Sequence, residues 1–306
     1  MWLPKRVSVR TRLRRKLKQP LLAAVARLPE PAQRALFVPW VRRIGIRVPV
    51  LRAVYLGCFR RHPIDLLYGT DTSGIVDAGQ LQRDADASLV SQLNPYMGSQ
   101  PSIVRRALQA LGDTSGYTFM DIGCGKGRAM IVASEFAFEA ILGYDISAEL
   151  VRIANQNALT IARRFPERPT MHAVEANVSD LVLMGRRLVV FLYNPFDTAL
   201  VATMLRNIES GLASGAIEHV FIVYDNPVSG HVFDASTALT RWFAGTLDYE
   251  PSELGYGPQT QDAVVIWQSV RCARPSQFSD RGRPIVARDR MSAVVACVDY
   301  STVLPG

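Results

Sequence analysis

The sequence is poor in the residues that build metal and disulfide sites. It has four cysteines, Cys58, Cys124, Cys272 and Cys297, and four histidines, His62, His172, His219 and His231. No two cysteines stand in C-x-x-C spacing, which excludes a zinc knuckle and a disulfide framework and points to a reduced, cytoplasmic setting. The histidines are scattered, without the i, i+4 or H-x-E spacing that gathers ligands on one element, so no metal is expected. No run of about 18 apolar residues is uninterrupted, which argues against a membrane-crossing helix. Internal repeats are also absent.

Acid is missing from one end. The first 61 residues hold 16 basic groups and a single acid, Glu30, a balance of +15, while the remaining 245 carry −7. The overall excess of eight positive charges therefore averages two unlike regions, and an anionic partner belongs to the N-terminus. There VRTRLRRKLK is followed, after Pro20, by the short apolar stretch LLAAVARL. That stretch is too short, and its small-residue cleavage signal too weak, for a secretory signal peptide. Residues 35–57 are apolar but interrupted by Arg42, Arg43, Arg47 and Arg52, as in helices lying on a core or a membrane surface. Clustered Lys/Arg suits anionic lipid or nucleic acid, and it is equally the composition of a solvated basic cap. Hydrophobic residues make up 48% of the chain and charged residues 20%, enough to bury a substantial core.

After residue 100 the pattern is regular. Ser99 and Pro101 open an amphipathic helix that puts Val104, Ala107, Leu108 and Leu111 inward and closes at Gly112. Apolar β-type runs then alternate with helical ones: 117–122, 140–145, 171–176, 187–193 and 219–225. The clearest helix covers 148–164 behind a Ser147 cap, and another follows Asp197. Five strands separated by helices predict an α/β, doubly wound, mostly parallel sheet. A terminal antiparallel hairpin is expected from 245–250 and 263–270. The resulting division is a basic helical N-terminal region over 1–65, an α/β domain over 66–270, and a polar linker and tail over 271–306.

The strand YTFMDI runs straight into Gly123-Cys124-Gly125-Lys126-Gly127-Arg128 and then a helix, the context of a ligand-binding glycine loop. A dinucleotide loop would read G-x-G-x-x-G; here the third glycine falls one residue early and Arg128 stands in its place. The spacing is D-x-G-x-G-x-G, anchored by Asp121. A carboxylate at that strand end suits a cationic group better than a pyrophosphate. Twenty residues after Gly125, Asp145 ends the next strand, where an acid can take both hydroxyls of a ribose or cap the following helix. Cys124 reads as a reactive thiol or, with no His or Asp partner placed, as a small residue filling the loop.

With FMDIGCGKGR, GYDIS and FLYNPF, the sequence resembles the class I S-adenosylmethionine (SAM) dependent methyltransferases over about residues 65–270, in particular a bacterial branch without assigned substrates. It is more distantly similar to non-SET protein-lysine methyltransferases. The resemblance implies a Rossmann-like fold and SAM as co-substrate. Asp121, Gly123, Cys124, Gly125 and Gly127 would line its methionine end, and Asp145 with Ile146 its ribose. Glu175 and Ala176 look like the pair that meets the adenine, a role that Asn177 or Asp180 could also take. Residues 66–74 and 94–102 sit where such enzymes place a lid. Asn194-Pro195-Phe196 is similar to the N-P-P-[YF] tetrad of amine methyltransferases, one proline short. It implies that Asn194 orients a nitrogen acceptor and touches the cofactor, beside a flat wall from Pro195, Phe196 or Tyr193. Asn-Pro is equally a strand-to-helix turn. The expected activity is N-methylation of an unidentified amine or amide on a protein or small molecule. Its alternative is a non-catalytic module docked to membrane or nucleic acid by the basic N-terminus.

Overall fold

The computed structural model describes residues 61–76, 93–181, 183–253, 256, 260–285 and 287, with Leu28, Ala32, 39–45, Arg47 and Val48 before them. The expected helix after Pro20, the segment 49–57 and the last 19 residues lie outside the described residues.

The helices are α1 (Pro39–Gly45), α2 (Pro63–Tyr68), α3 (Pro101–Leu111), α4 (Arg128–Ala133), α5 (Ala148–Arg164), α6 (Thr198–Ser214) and α7 (His231–Asp234). The strands are β1 (Ile75–Val76), β2 (Tyr96–Met97), β3 (Thr118–Ile122), β4 (Ala140–Asp145), β5 (Met171–Glu175), β6 (Arg187–Tyr193), β7 (His219–Asp225), β8 (Leu239–Asp248) and β9 (Gln261–Ser269). Helix starts follow the caps. Ser147 accepts the Leu150 N–H at the head of α5, and Asp197 accepts that of Leu200 at the head of α6. Left-handed Gly215 closes α6, where a β-carbon would be strained.

Seven strands form one sheet in the order β5-β4-β3-β6-β7-β9-β8, parallel except for β9, which pairs antiparallel with β7 and β8. This is a doubly wound, Rossmann-like, mostly parallel sheet with a terminal antiparallel hairpin. Alternation along the strands divides the core between the two faces. Phe119, Val189, Phe191, Phe221 and Val223 pack with α3 and α4, while Met120, Val190, Leu192, Ile222 and Tyr224 pack with α6. The chain winds outward from β3 to β4 and β5, then returns to the other side of β3 with β6. A switch point is thus left between β3 and β6, and its carboxyl edge is where such sheets bind ligands.

Two stretches differ from the sequence reading. The terminal hairpin's first strand begins at Leu239, six residues before the expected 245, because 239–244 continue the pairing through an irregularity between Arg241 and Phe243. Residues 271–285, expected as a polar linker, pack back on the sheet in part. Ser276 Oγ donates to the Trp242 carbonyl (2.8 Å) and the Phe278 ring meets Phe243 at 5.1 Å. A single aromatic, Phe278, among polar residues gives no periodicity, so composition alone reads such a stretch as solvated.

Candidate active site

A cavity of about 920 Å3, its open mouth included, lies over the carboxyl edge at the switch point. Its floor is the turn after β3. Gly123, Gly125 and Gly127 all have positive φ, at 77°, 55° and 80°. A β-carbon on Gly123 would lie 2.4 Å from Pro195, and one on Gly125 2.1 Å from the Tyr96 ring. The turn is pinned to β4 by the Gly123 and Cys124 N–H groups, which donate to the Tyr144 carbonyl at 2.8 and 3.0 Å. Gly127 stands outside the cavity and lets α4 approach α5, since a β-carbon there would be 3.3 Å from Ala154.

Asp121, 3% exposed, lines the cavity from β3, and its Oδ2 has no hydrogen-bond partner. Desolvation, helped by the neighbouring Asp145 charge, pushes its carboxyl up to about 8. A buried carboxyl with an open oxygen calls for a cationic group. Asp145 also lines the cavity, and both its oxygens are engaged: Oδ2 accepts from Gly125 N (2.8 Å) and Oδ1 from Ser147 N (2.9 Å). Burial raises its pKa, and those backbone N–H groups oppose the rise. It therefore braces the loop and leads into α5, while a carboxylate's remaining lone pairs are open to a diol. Burial raises the Cys124 thiol well above its ordinary value, so it is protonated and fills the loop as a small side chain.

Of the residues singled out from the sequence, Asp121, Gly123, Cys124, Asp145, Ile146, Ala176, Pro195 and Phe196 line the cavity, with Tyr193 beside them. Gly125, Gly127, Glu175 and Asn194 are not part of the lining. Glu175 is exposed at the end of the edge strand β5, and Ala176, Asn177 and Val178 take the expected adenine side. Asn177 itself accepts the Ser179 N–H at 3.0 Å. The expectation that the Asn194 amide aims into the cleft is corrected. The residue is buried at φ 41°, and its Oδ1 accepts from the Tyr224 hydroxyl at 2.9 Å, below the sheet edge. Its left-handed turn sends the side chain away from the cavity. The Asn194 and Pro195 carbonyls accept from Asn94 Nδ2 (2.8 Å) and Asn94 N (3.0 Å), and of these two residues Pro195 lines the wall.

The resemblance placed a lid over 66–74 and 94–102; what sequence reasoning missed is how those segments are held. Residues 93–99 cover the cavity, with β2 paired to β1 and Leu93 bridged to Phe196. The tyrosine ring that rests on Gly125 belongs to this roof, and its hydroxyl donates to the Thr72 carbonyl at 2.7 Å. Neighbouring apolar lining comes from Leu150, Val178, Leu181, Phe191 and Leu200. The misplaced arginine of the glycine loop was the one available signal, because a cation where the fold tolerates glycine needs a partner.

These residues fit SAM. The open Asp121 oxygen suits its ammonium, the glycines let the turn pack closely against Pro195 and Tyr96 at the cavity's edge, Asp145 suits the ribose and the apolar pocket suits the base. When bound, SAM supplies an activated methyl group.

Among solved structures, the chain is similar to a putative RNA methyltransferase of Pyrococcus horikoshii, with 13% identity and a TM-score of 0.40 over 57% of this chain and 83% of that one. It is also similar to the magnesium protoporphyrin IX methyltransferase of Synechocystis PCC 6803 with bound SAM, with 18% identity and a TM-score of 0.38 over 55% and 76%. A comparison with curated proteins finds no match. A protein family described as a methyltransferase domain matches residues 113–178, from just before β3 to just past β5. That stretch carries the floor of the cavity, and it is there that the chain is similar to a methyltransferase domain.

Proposed function

We propose that the enzyme methylates nitrogen, on an amine or amide of a protein or small molecule. The observation that carries this reading is the pair of Asn194 and Pro195 carbonyls beside the cavity, both already holding N–H donors of the lining residue Asn94. An acceptor N–H in place of Asn94 would be oriented by the same carbonyls, its lone pair free to face the methyl. Tyr193, Phe191 and Phe196 supply a flat wall. No histidine or lysine is among the lining residues, and an oxygen acceptor would need such a base more than a neutral amine does. In the reaction the S–CH3 bond breaks as the N–CH3 bond forms, the sulfonium becomes a thioether, and the nitrogen releases its proton to solvent. Positioning supplies most of the rate.

Purified enzyme with methyl-labelled SAM and fractionated protein and metabolite extracts tests this. Label should enter a product stable to mild base, as N-methyl groups are. A base-labile methyl ester as the main product would overturn the assignment to nitrogen.

The same proposal places the enzyme in the cytoplasm, peripheral to an anionic membrane through its basic N-terminus. Trp40 and Ile44, one helical turn apart on α1, are 68% and 57% exposed. A wedge of that kind among arginines suits a lipid interface, where each basic residue contributes about 1 kcal/mol. Co-sedimentation should occur with phosphatidylglycerol vesicles and not with phosphatidylcholine, and should weaken in Trp40→Ala/Ile44→Ala. Retention on RNA with no vesicle binding would transfer the role to nucleic acid.

A further inference from the structure

We propose that Lys126 and Arg128, the two cations of the GCGKGR turn, are positioning residues that clamp residues 93–99, the roof of the SAM site, through Gly98 and Ser99 to the supporting segment 71–73. The loop that makes the floor thereby sets the order of the roof, and through it the affinity for SAM. The inference rests on the reading of the cavity as the SAM site.

A basic pair after a glycine turn is placed to meet an anionic ligand, yet neither cation is open to one. Arg128 is 5% exposed. Its Nη2 donates to the Thr72 carbonyl (2.6 Å), its Nε to Thr72 Oγ1 (2.8 Å), and its Nη1 to the carbonyls of Gly98 (3.1 Å) and Ser99 (3.3 Å). One planar group thus joins two segments 26 residues apart in sequence to the first residue of α4. Lys126 Nζ reinforces it through Asp71 Oδ1 (3.0 Å) and the Ser73 carbonyl (2.8 Å).

The roof is built to receive the clamp. A β-carbon on Gly98 would lie 2.5 Å from Arg128 Cζ, so glycine is required where the guanidinium lies. Thr72 Oγ1 accepts from Arg128 and donates to Asp65 Oδ1 at 2.7 Å, which links a buried cation to a buried acid through one hydroxyl. Asp65, 0% exposed, holds the same segment from beneath, accepting also from Thr70 Oγ1, Thr72 N and Ser73 Oγ. The Tyr96 hydroxyl ends on the Thr72 carbonyl that Arg128 also uses, so clamp and cavity wall share an atom. Lysine cannot replace the arginine, because a single ammonium cannot span carbonyls on both segments.

The test uses the full chain, S-adenosylhomocysteine as probe, titration calorimetry, and hydrogen exchange read by mass spectrometry. In wild type the probe should slow exchange in 70–73 and 94–99 together. Arg128→Lys should weaken the probe at least tenfold and speed exchange in both segments, with β6 and β7 unchanged. Lys126→Met and Tyr96→Phe should each produce a several-fold version of the same pair of effects. They carry the test if Arg128→Lys unfolds the whole domain. Wild-type probe binding with an indifferent roof, or variants that loosen the roof at unchanged affinity, would overturn the clamp and leave the SAM reading standing. A wild-type protein that does not bind the probe would overturn the SAM reading, and the clamp with it.

Discussion

The floor and the roof of the cavity are made by opposite means. The floor is contiguous, residues 121–128, and its shape lies in the backbone: three glycines at positive φ and N–H groups returned to β4. The roof is residues 93–99 resting on residues 70–73, and its shape lies in side-chain bonds, made by its own Asn94 and by Asp65 and Arg128 from elsewhere. A backbone-made wall is fixed once the sheet forms. A side-chain-made wall can be loosened one hydrogen bond at a time. Damage to the floor should therefore abolish binding, and damage to the roof should grade it.

The largest effect is expected at Gly125. Valine there meets both a φ of 55° and the Tyr96 ring, which is tethered through its hydroxyl and has no free direction to yield. Gly125→Val should lower S-adenosylhomocysteine affinity at least a hundredfold, about 2.7 kcal/mol by calorimetry, with the circular dichroism of the sheet intact. Wild-type affinity would show the floor to be as adjustable as the roof.

Asp121 comes next, and its test is a pH profile. Its folded pKa, about 8, lies above the ordinary 3.8, so the ligand-free protein holds a proton there at pH 7. The sign follows from linkage. Stability from this group is full below pH ~4 and declines as pH rises toward 8, where the buried carboxyl must ionise. Pairing with a ligand ammonium requires the ionised form, so affinity should climb between pH 6 and 8. Near pH 7, binding should release close to one proton, read by calorimetry in buffers of different ionisation enthalpy. Asp121→Asn should weaken the probe tenfold or more, abolish the proton release and flatten the decline in melting temperature. Proton release that persists in Asp121→Asn would assign the titration to another group.

The same contrast explains what could be read from the sequence. Helices α5 and α6 and their caps at Ser147 and Asp197 were legible because period and cap are local. So was the floor, where glycine spacing states backbone geometry directly. The roof segments were indicated only through the family resemblance, and their anchoring was not legible, since Arg128 bonds to residues 29–56 positions away and no spacing rule connects them. Asn194 was placed correctly at the end of β6, but its φ of 41° turns the side chain away from the cleft, and a motif letter carries no such dihedral. Glu175 lies outside the lining because it ends the edge strand β5 beyond Ala173, the last buried position, so its side chain reaches solvent.

A smaller effect is expected from Asp145, which serves floor and ligand together. Its carboxylate holds Gly125 N and Ser147 N, so Asp145→Ala should weaken the probe by about 1–3 kcal/mol and also lower the melting temperature of the ligand-free protein. Destabilisation at unchanged affinity would make Asp145 wholly a brace.

The smallest effect on the chemistry is expected at Asn194. From the motif alone, Asn194→Ala would cost an order of magnitude in turnover, the loss of a group that orients the acceptor. The geometry assigns it a different task. Asparagine tolerates the left-handed region better than other side-chain-bearing residues, and here it turns the chain from β6 toward α6 while its Oδ1 takes the Tyr224 hydroxyl. What holds the lining residue Asn94 is its carbonyl, which every substitution keeps. Asn194→Ala should therefore lower stability by about 1–3 kcal/mol, from backbone strain and a buried hydroxyl left without that acceptor, while KM for SAM stays within about twofold. Asn194→Gly separates the two costs, since glycine relieves the strain and lacks only the side-chain bond. With the turn preserved in that variant, turnover should stay within a few-fold of wild type. A tenfold loss of kcat in a stable Asn194→Gly enzyme, at unchanged KM for SAM, would return the amide to the acceptor and show that the turn opens when substrate binds.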